Sequence, residues 1–370
     1  MEPAERVLAA ARTRNVLLGP RRLGSPAEVV QHLLAVQAQE PRFSRWSVAQ
    51  RTTRPDEAAV ARALANAEIV RVHALRPTWH YLRGEDLRWV QALTGPRVLR
   101  SSAGWYRNNG VDDAFLKAGR DVVERALSGG GHKTREELKE DVAAAGLDGS
   151  GQRMTALMFD LELKTVVCSG PLKDGKHTYA LVDERLPPGQ ELAPEEATAR
   201  LVRRYLAGHA PATLKDLRWW SGLKVTDLRR AVDALGDAVA KETIGRREYL
   251  WLGSDPPEQA AEDDVSLELL QVFDELFVGY SETRDLLDAD GEFGPVLQIG
   301  FSKMMHVVVD GDRLLGRWRH DRRKKTLVLT FDLNRPLATD EQTWLREAAA
   351  AYGAFMGAGE TEVVLAPNTR

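Results

Sequence analysis

Two glutamines separated by one alanine, Gln37-Ala38-Gln39, are the residues of this chain whose type and spacing could do unusual chemistry. Gln37 lies four residues after Leu33 and seven after Val30. It therefore continues the apolar stripe that Val29, Val30, Leu33 and Leu34 give a helix opening at Ser25-Pro26. A buried amide there must find partners for both its oxygen and its NH2. Pro41 disfavours helical geometry at Glu40, which predicts that the helix ends around Ala38 or Gln39. Residues two apart in a regular helix point to nearly opposite sides, but at an unwinding end the two amides can converge. From spacing alone, a pair of polar residues at a helix end with no catalytic role is the simpler account.

A second group is basic. RWRHDRRKK, residues 317–325, carries Arg317, Arg319, Arg322, Arg323, Lys324 and Lys325 against one acid, Asp321. It joins two strand-like runs, so its charges are expected to project together from a hairpin tip, suited to contact with a phosphate backbone or a groove. A charged turn guarding a sheet edge is the equal alternative. His73 and His80 fall on adjacent predicted strands and could share a metal; without a third ligand, ordinary strand histidines explain them better. Asp288 to Glu292 carries the acids of a calcium loop but places its glycine too early. GGGH at 129–132 and GSGQ at 149–152 lack phosphate-loop spacing and are expected to be turns. No HExxH, paired-cysteine, P-loop or nucleophile-elbow motif is present, and neither a cofactor nor a metal is expected.

The elements that must position these residues belong to a chain of 370 residues, 43% hydrophobic and 28% charged, enough for two or three cores. The single cysteine, Cys168, excludes an intrachain disulfide and a cysteine zinc site. No apolar run reaches the roughly 18 residues of a membrane span, and the first residues do not resemble a signal peptide, so a cytoplasmic location without membrane contact is expected. Net charge is −3. Between Asp255 and Glu292, 13 acids face one base, Arg284, a local −12, which leaves +9 for the rest. One acidic segment thus hides a basic remainder able to meet a polyanion, although two solvated faces would give the same count.

An order of elements recurs three times: short helices, then two β-rich runs joined by a turn. The first has helices from Ser25 and over Asp56 to Asn66, then IVRVHAL (69–75) and TWHYL (78–82). The second has a helix capped by Thr134 with Glu137 placed for a capping box, a helix over 149–165, then VVCSG and HTYALV. The third has TLKDLRWWSGL from Thr213, a helix over Lys224 to Leu235, and a hairpin around Gly245-Arg246. The segments 84–110 and 195–209 are expected to be connecting helices. Helices followed by a hairpin make the winged-helix variant of the helix-turn-helix, which can set a helix in the major groove. Beyond Asp264 the chain becomes strand-rich, with a hairpin at Asp310-Gly311, a helix over Thr339 to Met356 and a strand over Thr361 to Ala366. The expected class is α+β and mainly helical. It comprises three tandem winged-helix modules, 1–110, 111–192 and 193–370, the last with a β-rich extension.

LLAVQAQEPRFS (33–44), RPTWHYL (76–82), LRWWSGL (217–223), FDELFVGY (273–280) and VVVDGDRLLGRWR (307–319) together resemble the AlkZ/YcaQ family of winged-helix DNA glycosylases. The likeness runs over essentially the whole chain. Its most specific element, glutamine-aliphatic-glutamine, falls on Gln37-Ala38-Gln39. The resemblance implies a concave DNA-binding surface with the glutamines in its channel. It further implies removal of N7-alkylated guanine from duplex DNA, including interstrand crosslinks, and protection of a cell against a DNA-alkylating antibiotic such as azinomycin. It places a DNA-contacting hairpin on the strands around Arg317 to Lys325. Gln37 and Gln39 would jointly stabilise the sugar and position water, with Glu40 as a fallback base, leaving an abasic site without strand cleavage. No obligatory protein partner is expected. The runner-up is a noncatalytic DNA-binding regulator; a third account is an interaction scaffold docking through the acidic segment.

Overall fold

A computed structural model describes residues 3–254, 267–288, 306–311 and 313–366. After a leading helix, α1 (Pro3–Asn15), one order of elements occurs three times: helix, very short strand, two helices, hairpin. First come α2 (Pro26–Leu33), β1 (Ala35–Gln37), α3 (Pro41–Ala49), α4 (Glu57–Ala65), β2 (Ile69–Ala74) and β3 (Thr78–Arg83). A long helix, α5 (Leu87–Asn108), leads to α6 (Asp113–Leu127), β4 (Lys133–Thr134), α7 (Arg135–Ala144), α8 (Arg153–Leu163), β5 (Val167–Ser169) and β6 (Thr178–Leu181). The four-residue α9 (Val182–Arg185) precedes α10 (Pro194–His209), α11 (Leu214–Ser221), α12 (Val225–Leu235), β7 (Val239–Ile244) and β8 (Arg247–Leu252). In the third repeat the short strand shrinks to one bridge, Ala212 with Leu250. Each time the short strand pairs with the second strand of the hairpin, giving sheet orders β1-β3-β2 and β4-β6-β5.

Local chemistry explains the boundaries. Ser25 caps α2 by accepting from the Glu28 N–H, with Pro26 in the first turn. Thr134 with Glu137, and Thr213 with Asp216, form complete capping boxes before α7 and α11. Two expectations are corrected. The helix expected to run to Ala38 or Gln39 stops at Leu33, where Leu34 takes φ +64° and the chain becomes strand. An edge position beside β3 satisfies the backbone of residues 35–38, which a helix end would have left open. The segment expected to connect the second and third repeats, 195–209, is instead the opening helix of the third. Helix α6 is an addition, buried through Phe115, Leu116, Val122, Val123 and Leu127.

The remainder is β9 (Leu267–Leu270), α13 (Glu275–Val278), β10 (Val307–Asp310), β11 (Arg313–Arg323), β12 (Thr326–Leu333), α14 (Thr339–Phe355) and β13 (Glu360–Leu365). These five strands form one sheet in the order β13-β12-β11-β10-β9. Only β12 and β13 run parallel within it, and α14 supplies the crossover that parallel pairing requires. One core joins this sheet (Leu269, Val308, Phe331) to the first repeat (Val29, Leu33, Trp46) and to Tyr352 of α14. A second joins β2 and β3 to α10–α12, and a third lies within the second repeat. Strand β1 stands between the first two cores, with Val36 and Ala38 in one and Ala35 in the other.

Candidate active site

Gln37 ends strand β1 and Gln39 lies in the bend beyond it, so the pair sits where a strand runs out and not at a helix end. Side chains alternate along a strand, so residues two apart share a face. Ala38 is wholly buried in the core, so Gln37, the last residue of the strand, faces the opposite side. The pairing continues past β1: Gln37 faces His80 of β3, the Ala38 N–H donates to the Trp79 carbonyl at 2.7 Å, and the Trp79 N–H donates to Gln39 Oε1 at 3.3 Å. Gln37 is 2% exposed, whereas Gln39 is exposed. Glu40 follows as N-cap of α3, but its side chain caps nothing, unlike Thr134 and Thr213 at the corresponding junctions.

Groups from distant segments hold Gln37. Its N–H donates to Glu275 Oε1 at 2.6 Å. Glu275 is fully buried, and its other oxygen takes His209 Nε2 at 3.2 Å and Trp220 Nε1 at 3.1 Å. Burial alone would raise the Glu275 carboxyl; His209 and the Gln37 N–H outweigh it and leave the carboxyl below its ordinary range. The neighbouring Asp274 forms a two-pronged pair with Arg51 at 2.7 and 2.9 Å, both side chains fully buried. It also accepts from Ser47 and Gln50 of the first repeat. Gly279 is required here, because a Cβ would meet the Glu275 carbonyl at 2.6 Å and the His209 ring at 2.9 Å.

The side-chain oxygen of Gln37 accepts from Arg76 Nη2 at 3.0 Å. Arg76 lies over the Trp219 ring, 5.1 Å from its centre, and burial lowers its pKa to about 10, which leaves it charged at neutral pH. Helix α11 can approach this turn only because it ends in Gly222, at φ +69°, where a Cβ would meet the Leu75 carbonyl at 3.0 Å. Opposite Gln37, His80 is fully buried and its pKa falls to about 3 through burial and then Arg76, so it is a neutral ring.

The other face of this sheet, away from Gln37 and His80, is aromatic and basic. Trp79 packs against Arg71, 3.9 Å from the ring centre, and against His73 at 4.0 Å and His177 at 5.1 Å. Arg71 also donates to the Ala38 carbonyl at 3.0 Å, and His73 is held through Nδ1 by the buried carboxylate of Glu162. Beside Glu40, an open cleft of about 380 Å³ runs between α3 and β5, lined in part by Arg42, Arg45, Arg71, Ser169 and His177. Burial lowers the His177 pKa to about 3. His73 pairs with Trp79 and His80 with Val72, which puts the two histidines on opposite faces of their sheet. They cannot share a metal, and no cluster of three ligands occurs among the described residues.

The basic stretch is strand almost to its end. Arg317 to Arg323 lie in β11, and only Lys324 (φ +54°) and Lys325 make the turn. Alternation therefore splits charges that were expected to project together. Arg317, Arg319 and Arg323 share one face, with Arg317 half-buried. Arg322 lies on the other face with Trp318 and His320, and donates to the carbonyls of Met356 and Gly357 at the end of α14.

Where described, the acidic segment is half internal: three of its six acids are buried. Glu268, Asp274 and Glu275 are buried, Glu282 pairs with Lys215, and Asp285 pairs with Arg247 at 2.7 Å. Residues 255–266 and 289–292, with most of the loop once weighed for calcium, lie outside the described residues. Glu275 and Arg76, the groups that hold Gln37, had no role assigned from sequence. Both lie in segments that carried the resemblance, FDELFVGY and RPTWHYL, and that was the available signal. No helix among the described residues is long and apolar enough to cross a membrane.

Comparison with known proteins gives three concordant findings. The family model described as DNA glycosylase AlkZ-like matches residues 30–355. An interstrand DNA cross-link repair glycosylase of Streptomyces sahachiroi is 26% identical over 329 residues, covering 86% of this chain and 88% of that protein. The solved structure of Streptomyces sahachiroi DNA glycosylase AlkZ superposes with a TM-score of 0.76 at 23% identity, over 99% of this chain and 100% of that one, a likeness of fold.

Proposed function

The chain belongs to the AlkZ-like family and is a DNA glycosylase; from that premise we propose that it hydrolyses the glycosidic bond of cationic N7-alkylguanine in duplex DNA, including guanines in interstrand crosslinks. The regulator reading gives way to an enzyme. The observation that supports this chemistry is that the buried amide of Gln37 meets no free carboxylate among the described residues. Glu275, which holds its backbone, has both oxygens engaged, and His80 is a neutral ring. Such a site cannot readily protonate a neutral leaving base. It suits a base whose alkylation has already made it a cation, where glycosidic cleavage needs only stabilisation of the sugar and a placed water.

The reaction is a balanced hydrolysis. Water forms a C–O bond at the anomeric carbon while the C–N bond breaks. The electron pair returns to the guanine and cancels its charge, and the water proton leaves to solvent. An abasic site remains. We assign Gln37 and Gln39 the catalytic roles, with exposed Glu40 as an auxiliary acceptor. The three helix-plus-hairpin repeats act as winged helices whose concave side embraces the duplex, with Arg317, Arg319, Arg323, Lys324 and Lys325 as the candidate phosphate contacts; Arg322, bonded to the Met356 and Gly357 carbonyls, is not among them. An open surface would suit a crosslinked guanine better than an enclosed base pocket, because that guanine is tethered to the opposite strand and cannot rotate out freely. Protection against a DNA-alkylating antibiotic is the physiological role this chemistry would serve.

The test is release of free base from duplexes bearing N7-methylguanine or an N7-linked crosslink. Gln37→Ala and Gln39→Ala should each lower release by roughly 10²-fold, the scale of losing one transition-state contact, with little effect on DNA affinity. Failure of the unaltered protein to release base from either duplex would defeat the proposal.

A further inference from the structure

Gln37 and Gln39 are chemically identical, but their surroundings are not. The Gln37 oxygen is held by a guanidinium at 3.0 Å, and its Nε2 has no hydrogen-bond partner among the described residues. Arginine has donors and no acceptor, so only the amide oxygen can face it. Rotating the Gln37 amide would put NH2 against a cation. The backbone beneath is fixed by Glu275 and by β3, and Arg76 by the Trp219 ring and the close approach of Gly222. Gln39 is bound differently: its oxygen accepts one long N–H bond from Trp79 at 3.3 Å, and the side chain is exposed.

We propose that Arg76 is a positioning residue that divides the pair, so that Gln37 acts through its NH2 as a hydrogen-bond donor and Gln39 through its oxygen as the acceptor. An oxygen already engaged by a cation is a poor stabiliser of a second one, which leaves the positive charge on the sugar to Gln39. Residues two apart in a chain are at most roughly 7 Å apart at Cα even when fully extended, a gap that one water can bridge. That water accepts from Gln37 Nε2 and donates to Gln39 Oε1, with its remaining lone pair directed at the anomeric carbon. The C–O bond then forms as the C–N pair returns to the base, and the water proton passes through the Gln39 side of the site to solvent. Arg76 touches none of the reacting atoms; it acts by fixing which end of Gln37 faces them. This assignment rests on the two glutamines being the catalytic pair.

Three measurements test it: single-turnover release of N7-methylguanine at saturating enzyme, affinity for the same duplex, and thermal unfolding. Gln37→Glu is the sharpest variant, because it keeps an oxygen for Arg76 and loses only the NH2. It should be as impaired as Gln37→Ala, by roughly 10²-fold in the saturated rate; a rate within about threefold of the unaltered protein would overturn the assignment. Arg76→Met should lower the saturated rate at least about tenfold with affinity changed less than about threefold, and Arg76→Lys should restore part of the rate. Weaker binding with an unchanged saturated rate would instead make Arg76 a phosphate contact and overturn its positioning role. Unfolding shifts of Gln37→Met and Arg76→Met should be less than additive in the double variant, and strict additivity would show that Arg76 does not hold Gln37. Unaltered protein that releases no base would defeat the function proposed above, and the unfolding cycle would still decide the contact.

Discussion

His80, His177 and His306 sit where burial drives the imidazole toward its neutral form, with pKa values of about 3, 3 and 4. Their folded values lie below the unfolded value near 6.5, so the unfolded chain binds more protons at intermediate pH. Their contribution to stability is full above about pH 6.5 and is lost as pH falls from there toward 4, by up to about 1.4 kcal/mol per pH unit for each proton taken up. Glu275, with its carboxyl depressed, is likewise lost only in acid, so it adds to the same trend at the lower end. Denaturation midpoints measured from pH 7.5 to 4.5 should fall, and more gently in His177→Gln; a flat profile would contradict the buried neutral rings. The fully buried Arg51–Asp274 pair gives a second expectation at this scale. Asp274→Ala leaves a guanidinium uncompensated and should cost about 3–5 kcal/mol in urea unfolding, and a loss below about 1 kcal/mol would mean that water reaches the site.

At the scale of elements, strand β11 separates two jobs that one basic stretch was expected to share. Arg322→Ala removes a donor from the last carbonyls of α14 and should lower stability by about 1 kcal/mol, with little change in DNA affinity. Replacing Arg319, Arg323, Lys324 and Lys325 together should flatten the slope of log affinity against log salt by up to about 0.9 per lost phosphate contact. An unchanged slope would take the hairpin out of the interface. The same scale shows what could be read in advance. Thr134 with Glu137, Ser25 with Pro26, and Asp310 with Gly311 announce their caps and turn through neighbours within three residues. Strand β1 could not be announced, because Ala35-Val36-Gln37 is too short for periodicity to tell strand from helix. Its partner β3 comes some forty residues later, and Glu275 238 residues later. The identity of the glutamine pair was legible through resemblance; the short strand that ends on Gln37 and the bend that carries Gln39 were not.

Across the whole molecule, the second repeat has a core largely its own, built from Phe115, Val123, Leu138, Leu157 and Tyr179. The first repeat shares one core with the C-terminal sheet and another with the third repeat. Native-state hydrogen exchange should therefore show residues 113–181 opening as a separate unit, while β1, α3 and β12 open together at higher free energy. Protection of β1 that follows the second repeat instead would refute that division.

The bond from Glu275 to the Gln37 backbone has a bearing on synthesis. Both glutamines are made well before the carboxylate that fixes one of them and the aspartate that grips α3, which come more than two hundred residues later. A chain terminated between the two segments thus carries the glutamine pair with nothing to set the geometry of Gln37. If the proposed roles hold, fragments released by translation stalled before Asp274 would be inert toward the genome.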